Sequence, residues 1–241
     1  MGHRKRKRLS YETGGTRLLI DGDILLYRIG FTTQEEKENI ALIRMNTYID
    51  EMLYNSGCSD YTSYLTDSRG NFRNKLYTLY KANRVADKPK HYKALKDYLI
   101  NFEKAEVAWG QEADDALGIN QTEDTIIASI DKDLLMVTGR HFNFVKNEHL
   151  TISEEEGRRR FYTQLLTGDS TDNIPGLPKV GPVKAKAYLK DCDDEESYKE
   201  VILKTYKERL PELDDAAIRE RIGLTGKLLW IRREPEQMWE F

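Results

Sequence analysis

Three short apolar runs in this chain end in aspartate: RLLID at 17–21, YTSYLTD at 61–67 and TIIASID at 125–131. The first and third, with consecutive rather than alternating apolar residues, have the pattern of parallel strands buried on both faces, and YTSYLTD is a further strand candidate. Helical spacing fills much of what lies between them, as in residues 34–55, where Ile40, Ile43, Tyr48 and Met52 mark one face. EVAWG and FNFVK add two shorter strand candidates, and from there the pattern is helical to the C-terminus apart from one Gly/Pro-rich interruption. Strands alternating with helices predict an α/β fold built on a central, mostly parallel sheet flanked by helices. In such a sheet, ligands bind outside the carboxyl ends of the strands. Acids far apart in sequence are therefore delivered to one edge.

The candidates for that edge are Asp21, Asp67, Asp131 and Asp133 at strand ends, Glu112, Asp114 and Asp115 in EADDALG, and Asp169 and Asp172 in TGDSTDN. Each group has an ordinary explanation when taken alone. Acids at a helix start are favoured by the helix dipole, and a DKD triplet suits a surface turn. Asp23 is well placed to cap the helix that follows the first strand. Strand alternation puts Asp131 and Asp133 on one side with Lys132 on the other. Glu112 precedes its helix, because residues 112 and 115 share a helical face and 114 does not. Repetition argues for more than solubility: so many carboxylates facing one point would repel strongly unless divalent cations came between them. An all-oxygen donor set without His or Cys suits Mg²⁺ or Mn²⁺.

Net charge is only −3, but the charges are segregated. Residues 67–104 hold ten Lys/Arg against four Asp/Glu, and residues 176–190 hold four Lys and no acid. This distribution suits a phosphate-bearing partner better than the total suggests. The region 68–104 reads as two helices with a joint at ADKP. Residues 1–16, with RKRKR and TGG, lack periodicity and read as a flexible basic arm. Cys58 and Cys192 fit no metal spacing and are expected to be reduced thiols, and His3, His91, His141 and His149 are scattered. No apolar run approaches a membrane span, and no apolar stretch follows the basic N-terminus. These features imply a cytoplasmic protein, without membrane contact and monomeric.

LLIDGDILLYR, YLTDS, FRNKLYTLYKANR, EADDALG, SIDKDLLMV and TGDSTDNIPGLPKVG occur in one order. In that combination the chain resembles the 5′-nuclease (flap endonuclease) superfamily over roughly residues 17–190. It is most similar to phage-type 5′→3′ exonucleases and to the 5′-nuclease domain of bacterial DNA polymerase I. The resemblance implies a nuclease core over 17–166, with a helical arch at about 68–104, and a helical C-terminal region over 167–241. That region would carry a helix-three-turn-helix hairpin at about 174–190 that grips duplex DNA.

The resemblance assigns the nine carboxylates to two metal positions. Asp21, Asp67, Glu112 and Asp114 would mainly serve the first, and Asp131, Asp133, Asp169 and Asp172 the second, with Asp115 also among the ligands. Lys81 and Arg84 match the catalytic basic pair of the arch, and Arg73 falls in its DNA-binding pattern. Gly176, Lys179, Gly181, Lys184 and Lys186 match the hairpin, which in relatives also holds a monovalent cation, so K⁺ is implied there. Two departures stand out: Pro178 and Lys179 replace smaller residues in the turn, and the helix after EADD is short. Beyond residue 190 only LLWIRREPEQMW resembles a relative, in the C-terminal helix of some phage members.

The implied activity is metal-dependent 5′→3′ exonuclease or structure-specific flap endonuclease action on DNA by a two-metal mechanism. It would be sequence-independent, would serve phage DNA replication or recombination, and could extend to an RNA primer in an RNA–DNA hybrid. Two alternatives remain from the residues: a ribonuclease of the related PIN type, and a DNA-binding relative without catalysis. The basic segments at 68–104 and 167–190 argue against the first. The intact set of nine acids argues against the second.

Overall fold

In the computed structural model, residues 15–84 and 87–241 are described. The expected basic arm falls almost wholly outside them. The first apolar run forms β1 (Arg17–Asp21), with Leu18, Leu19 and Ile20 all buried. It is followed by α1 (Gly22–Thr32), α2 (Glu38–Ser56) and β2 (Asp60–Thr66). Next come α3 (Phe72–Leu76), α4 (Tyr92–Asn101), β3 (Glu106–Ala108), α5 (Ala113–Ile119) and β4 (Thr125–Ala128). A 3₁₀ turn (Asp133–Met136) leads into β5 (Gly139–Asn143), β6 (Glu148–Ile152) and α6 (Glu154–Thr167). The chain ends with β7 (Gly168–Asp169), β8 (Ile174–Pro175), α7 (Pro182–Tyr188), α8 (Glu195–Arg209) and α9 (Asp215–Leu229).

The main sheet has the order β3-β2-β1-β4-β5-β6, parallel except for β6, which pairs antiparallel with β5. Alternate residues of a strand face opposite sides, and the core divides accordingly. Leu18, Ile20, Leu65, Ile126 and Ala128 pack with α1, α2 and α4, while Leu19, Tyr64 and Ile127 pack with α5 to α9. The C-terminal helices thus share a core with the sheet. Strand order reverses between β1 and β4, which makes the carboxyl end of that pair the expected crevice. Among the described residues, no helix is long and apolar enough to cross a membrane, and both cysteines are buried and unpaired.

Several local expectations change. Asp21, not Asp23, caps α1, accepting the Ile24 amide at 3.1 Å, while Asp23 lies inside the helix and accepts the Thr66 amide at 3.1 Å. The fourth strand stops at Ala128, so Asp131 and Asp133 lie in the turn beyond it and not on alternating strand positions. The Asp133 amide donates to Asp131 at 2.8 Å, closing that turn. Strand β6 falls where only helix was expected, and residues beyond Leu229 are irregular and not helical. Residues 77–84 form successive turns between α3 and α4 where helix was expected, and Lys81 has a φ of 56°.

Candidate active site

The crevice at the β1/β4 edge is assembled by a relay of short polar contacts. Asp21, 2 % exposed, accepts a hydrogen bond from Ser129 at 2.8 Å across the strand-order reversal. The Ser129 hydroxyl accepts the Asp131 amide at 3.0 Å, and Gln164 of α6 donates to Asp133 at 2.8 Å. Glu112 is the N-cap of α5, two residues before Asp114, and so precedes its helix as the sequence indicates. Asp169 ends β7, and its carboxylate accepts the Thr171 amide at 2.8 Å. Glu112, Asp114, Asp133, Asp169 and Asp172 line one narrow cleft together with Tyr80 and Gln164.

Segment 77–84 closes this cleft, and the reason for its departure from helix is visible. The Lys81 amide donates to the Asp172 carbonyl at 2.9 Å, Asn83 donates to the Ser170 carbonyl at 2.8 Å, and Asn173 donates to the Leu79 carbonyl at 2.8 Å. Backbone partners some ninety residues away replace those of a helix. The docking places the Lys81 ammonium 2.5 Å from Glu112 and 3.5 Å from Asp172. Arg84 pairs with Asp172 as well. The Tyr80 hydroxyl lies between the same two acids, 2.8 Å from Glu112 and 3.1 Å from Asp172. Tyr80 was not singled out from sequence, although its place beside Lys81 in LYKANR was the available signal.

Electrostatics divides the carboxylates into two kinds. Burial opposes ionisation of Glu112, but Lys81 and Arg73 outweigh it and hold the carboxyl below its usual range. Burial, reinforced by Asp23, pushes Asp21 up to about 7. Burial with Asp21 and Asp131 nearby raises Asp114 well above the usual range, and burial with Asp131 and Asp169 takes Asp133 to about 7. These elevated groups mark an uncompensated concentration of negative charge. Among the described residues no three His, Cys, Asp or Glu side chains are gathered into a ready-made metal cage. The donor chemistry nonetheless fits hard divalent cations, being carboxylate oxygen throughout.

Two of the nine acids are paired with arginines. Asp115 faces away from the cleft, bound at 2.6 and 2.9 Å by the forked guanidinium of Arg73. It also accepts the Glu112 and Arg232 amides. Arg73 is 2 % exposed and donates its remaining bonds to the carbonyls of Leu228 and Trp230. Burial therefore corrects the expectation that Arg73 meets DNA: the pair ties α3, α5 and the C-terminal segment together. Asp67 is held by Arg69 through two contacts of 3.0 Å and by the Gly110 amide at 3.0 Å, and Arg69 foremost keeps its carboxyl below the usual range. Neither Arg69 nor Ser129 nor Gln164 was anticipated: Ser129 and Gln164 act on acids distant in sequence, and Arg69 turns back onto its near neighbour Asp67.

The hairpin residues pack on the core beside α6. Leu177, Val180, Ala185 and Leu189 bury one side of the hairpin, leaving Lys179, Lys184 and Lys186 exposed on the other. Lys184 donates to the Lys179 carbonyl at 3.0 Å. Gly181 is the residue before α7 and has open space around it, whereas Gly176 is pressed against the backbone of Thr167 and Gly168.

A family profile described as 5′-3′ exonuclease, N-terminal resolvase-like domain, matches residues 16–163. The chain belongs to this family. It is 31 % identical over 197 residues to a 5′-3′ exonuclease of Buchnera aphidicola subsp. Schizaphis graminum, covering 71 % of this chain and 68 % of that protein. It is 30 % identical over 199 residues to the flap endonuclease Xni of Shewanella woodyi, covering 73 % and 77 %. Against DNA polymerase I of Rhizobium leguminosarum it is 31 % identical over 170 residues, 16 % of that longer chain. In fold it is similar to T5 5′-exonuclease with bound zinc, at TM-score 0.60 and 15 % identity, covering 89 % of each chain. The protein is a nuclease of the 5′-nuclease superfamily, and its α/β sheet with flanking helices is the fold of that group.

Proposed function

We propose that the protein hydrolyses DNA phosphodiesters near 5′ ends, as a 5′→3′ exonuclease and structure-specific flap endonuclease that depends on divalent metal. The observation that carries this reading is the strand-edge cleft lined by Glu112, Asp114, Asp133, Asp169 and Asp172, where burial first and neighbouring acids second raise Asp114 and Asp133 above the usual carboxylate range, as they do Asp21. Asp21, Glu112 and Asp114 would hold one Mg²⁺ or Mn²⁺, and Asp131, Asp133, Asp169 and Asp172 the other. Asp67 stands beside the first group and is engaged with Arg69. When bound, the ions supply an activated water and neutralise the departing oxygen.

The chain's own residues do the rest. Lys81 and Arg84, which rest on Glu112 and Asp172, are within a side-chain swing of the cleft and would bind the phosphate under attack. Tyr80 orients Glu112 and Asp172 through its hydroxyl. On the hairpin, Lys179, Lys184 and Lys186 would hold duplex backbone without reading bases, so binding should fall steeply with salt. A monovalent cation such as K⁺ at that turn, activity on an RNA–DNA hybrid, a monomeric state, and a phage role in DNA replication or recombination belong to the same proposal.

The test is Asp131→Ala. With Mg²⁺ the variant should lose DNA cleavage by several orders of magnitude while its affinity for tailed duplex in EDTA stays within a few-fold. Wild-type turnover that persists in the variant would remove Asp131 from the reaction.

A further inference from the structure

Trp109 follows β3, three residues before Glu112, and its indole is 65 % exposed. The Arg69 guanidinium stacks on its ring at 4.4 Å and at the same time grips Asp67. Arg69 does not line the pocket into which the ring opens. That pocket, of about 430 Å³, is bounded by Trp109, Gln111, Ile119, Arg232, Pro235 and Glu236. Its volume lies within the roughly 300–1,000 Å³ of small-ligand sites. Arg232 donates to the Gln111 amide oxygen at 2.9 Å and is stacked on Phe72 at 4.0 Å, so the pocket's polar wall is fixed.

We propose that this pocket takes the base of one unpaired nucleotide of the substrate strand. The proposal rests on the nuclease reading above. The chemistry suits a base: a flat aromatic face for stacking, the Gln111 amide and the Glu236 carboxylate for base edges, and the exposed Arg69 guanidinium beside the ring for the adjoining phosphate. The position suits it as well. Trp109 and Gln111 belong to the same short segment as Glu112, and three steps of about 3.8 Å put the Cα atoms of residues 109 and 112 no more than about 11 Å apart. The Gly110 amide, between them, is bound to Asp67. A base held on Trp109 thus fixes the strand one to a few nucleotides from the bond to be cut, and selects substrates with an unpaired end.

The measurement is fluorescence anisotropy of labelled duplexes in EDTA, where nothing is cleaved. The duplexes carry a 5′ single-stranded tail with one abasic nucleotide moved stepwise along it. For wild type, one abasic position should weaken binding about tenfold, in the range that loss of a single base stack gives. Trp109→Ala should lose the same factor with the intact tail, show no further loss at that position, and bind blunt duplex as wild type does. Trp109→Phe should keep most of the affinity. Equal sensitivity of Trp109→Ala and wild type to every abasic position would overturn the pocket, as would an equal loss on blunt duplex. Those results with Mg²⁺-dependent cleavage intact would leave the nuclease reading standing, whereas wild type that binds no DNA would remove both.

Discussion

Asp133 shows what crowding does to a single side chain. Its carboxyl titrates near 7 in the folded protein against an ordinary 3.8, through burial first and then Asp131 and Asp169. The folded state therefore binds this proton more tightly than the unfolded state between those values. The stability it contributes is full below about pH 4 and is lost as pH rises through 7. An asparagine carries no such charge. In EDTA, the melting temperature of Asp133→Asn should exceed wild type by an amount that grows from pH 4 to 7 and then levels. The plateau should be at least the roughly 2–4 °C that 1 kcal/mol gives a protein of this size. A difference independent of pH would show that Asp133 is not crowded. Arg73 is the opposite case, a buried cation fully matched by Asp115. Arg73→Met strands that carboxylate in the core and should cost about 3–5 kcal/mol in urea unfolding. Little loss of stability combined with weaker DNA binding would restore the role first expected of Arg73.

At the scale of elements, legibility followed burial and sequence distance. The strands β1, β2 and β4 were readable because both their faces are buried, so composition alone marks them. Strand β6 was not: in EHLTI only Ile152 is buried, and its pairing with β5 decides its conformation. On α2, Ile43 looked like a core residue but is 59 % exposed, while Ala41, Met45 and Ile49 carry the contact. Segment 77–84 has good helix formers, yet docking on residues 170–173 overrides them, and no local signal reports a partner so far away. The Gly-rich hairpin was legible as a unit, although its two glycines differ in purpose. A Cβ on Gly176 would lie 2.0 Å from the Thr167 carbonyl oxygen, so Gly176→Ala should destabilise by about 1–3 kcal/mol. Gly181→Ala, with nothing within 4 Å, should leave the unfolding midpoint unchanged, while a bulky residue there should weaken duplex binding without altering metal affinity. Equal stability losses at the two glycines would contradict this division.

For the whole molecule, the reversal of strand order between β1 and β4 collects acids from the strand ends, the start of α5 and the end of α6 at one edge. Five of the nine acids marked in the sequence line that cleft, and the charges of Asp21 and Asp131 lie close enough to act on Asp114. Asp115 and Asp67 are engaged by arginines at positions 73 and 69, and an ion pair of this kind leaves no periodicity to read. The C-terminal segment fastens the arrangement from below: Trp239 packs edge-on against Phe161 with ring centres 5.2 Å apart, and the Arg232 amide bonds Asp115. Cationic surface lies outside the cleft, on the hairpin and the closing turn, which fits attraction of a polyanion around a centre that itself needs cations. The central claim is metal-dependent cleavage from 5′ ends. It is tested most directly by resolving the products of duplex, nicked and 5′-flap DNA labelled at either end, with Mg²⁺ and with EDTA. Short 5′-derived products that appear only with Mg²⁺ are the predicted result. Cleavage undiminished in EDTA, or products released from the 3′ end, would contradict it.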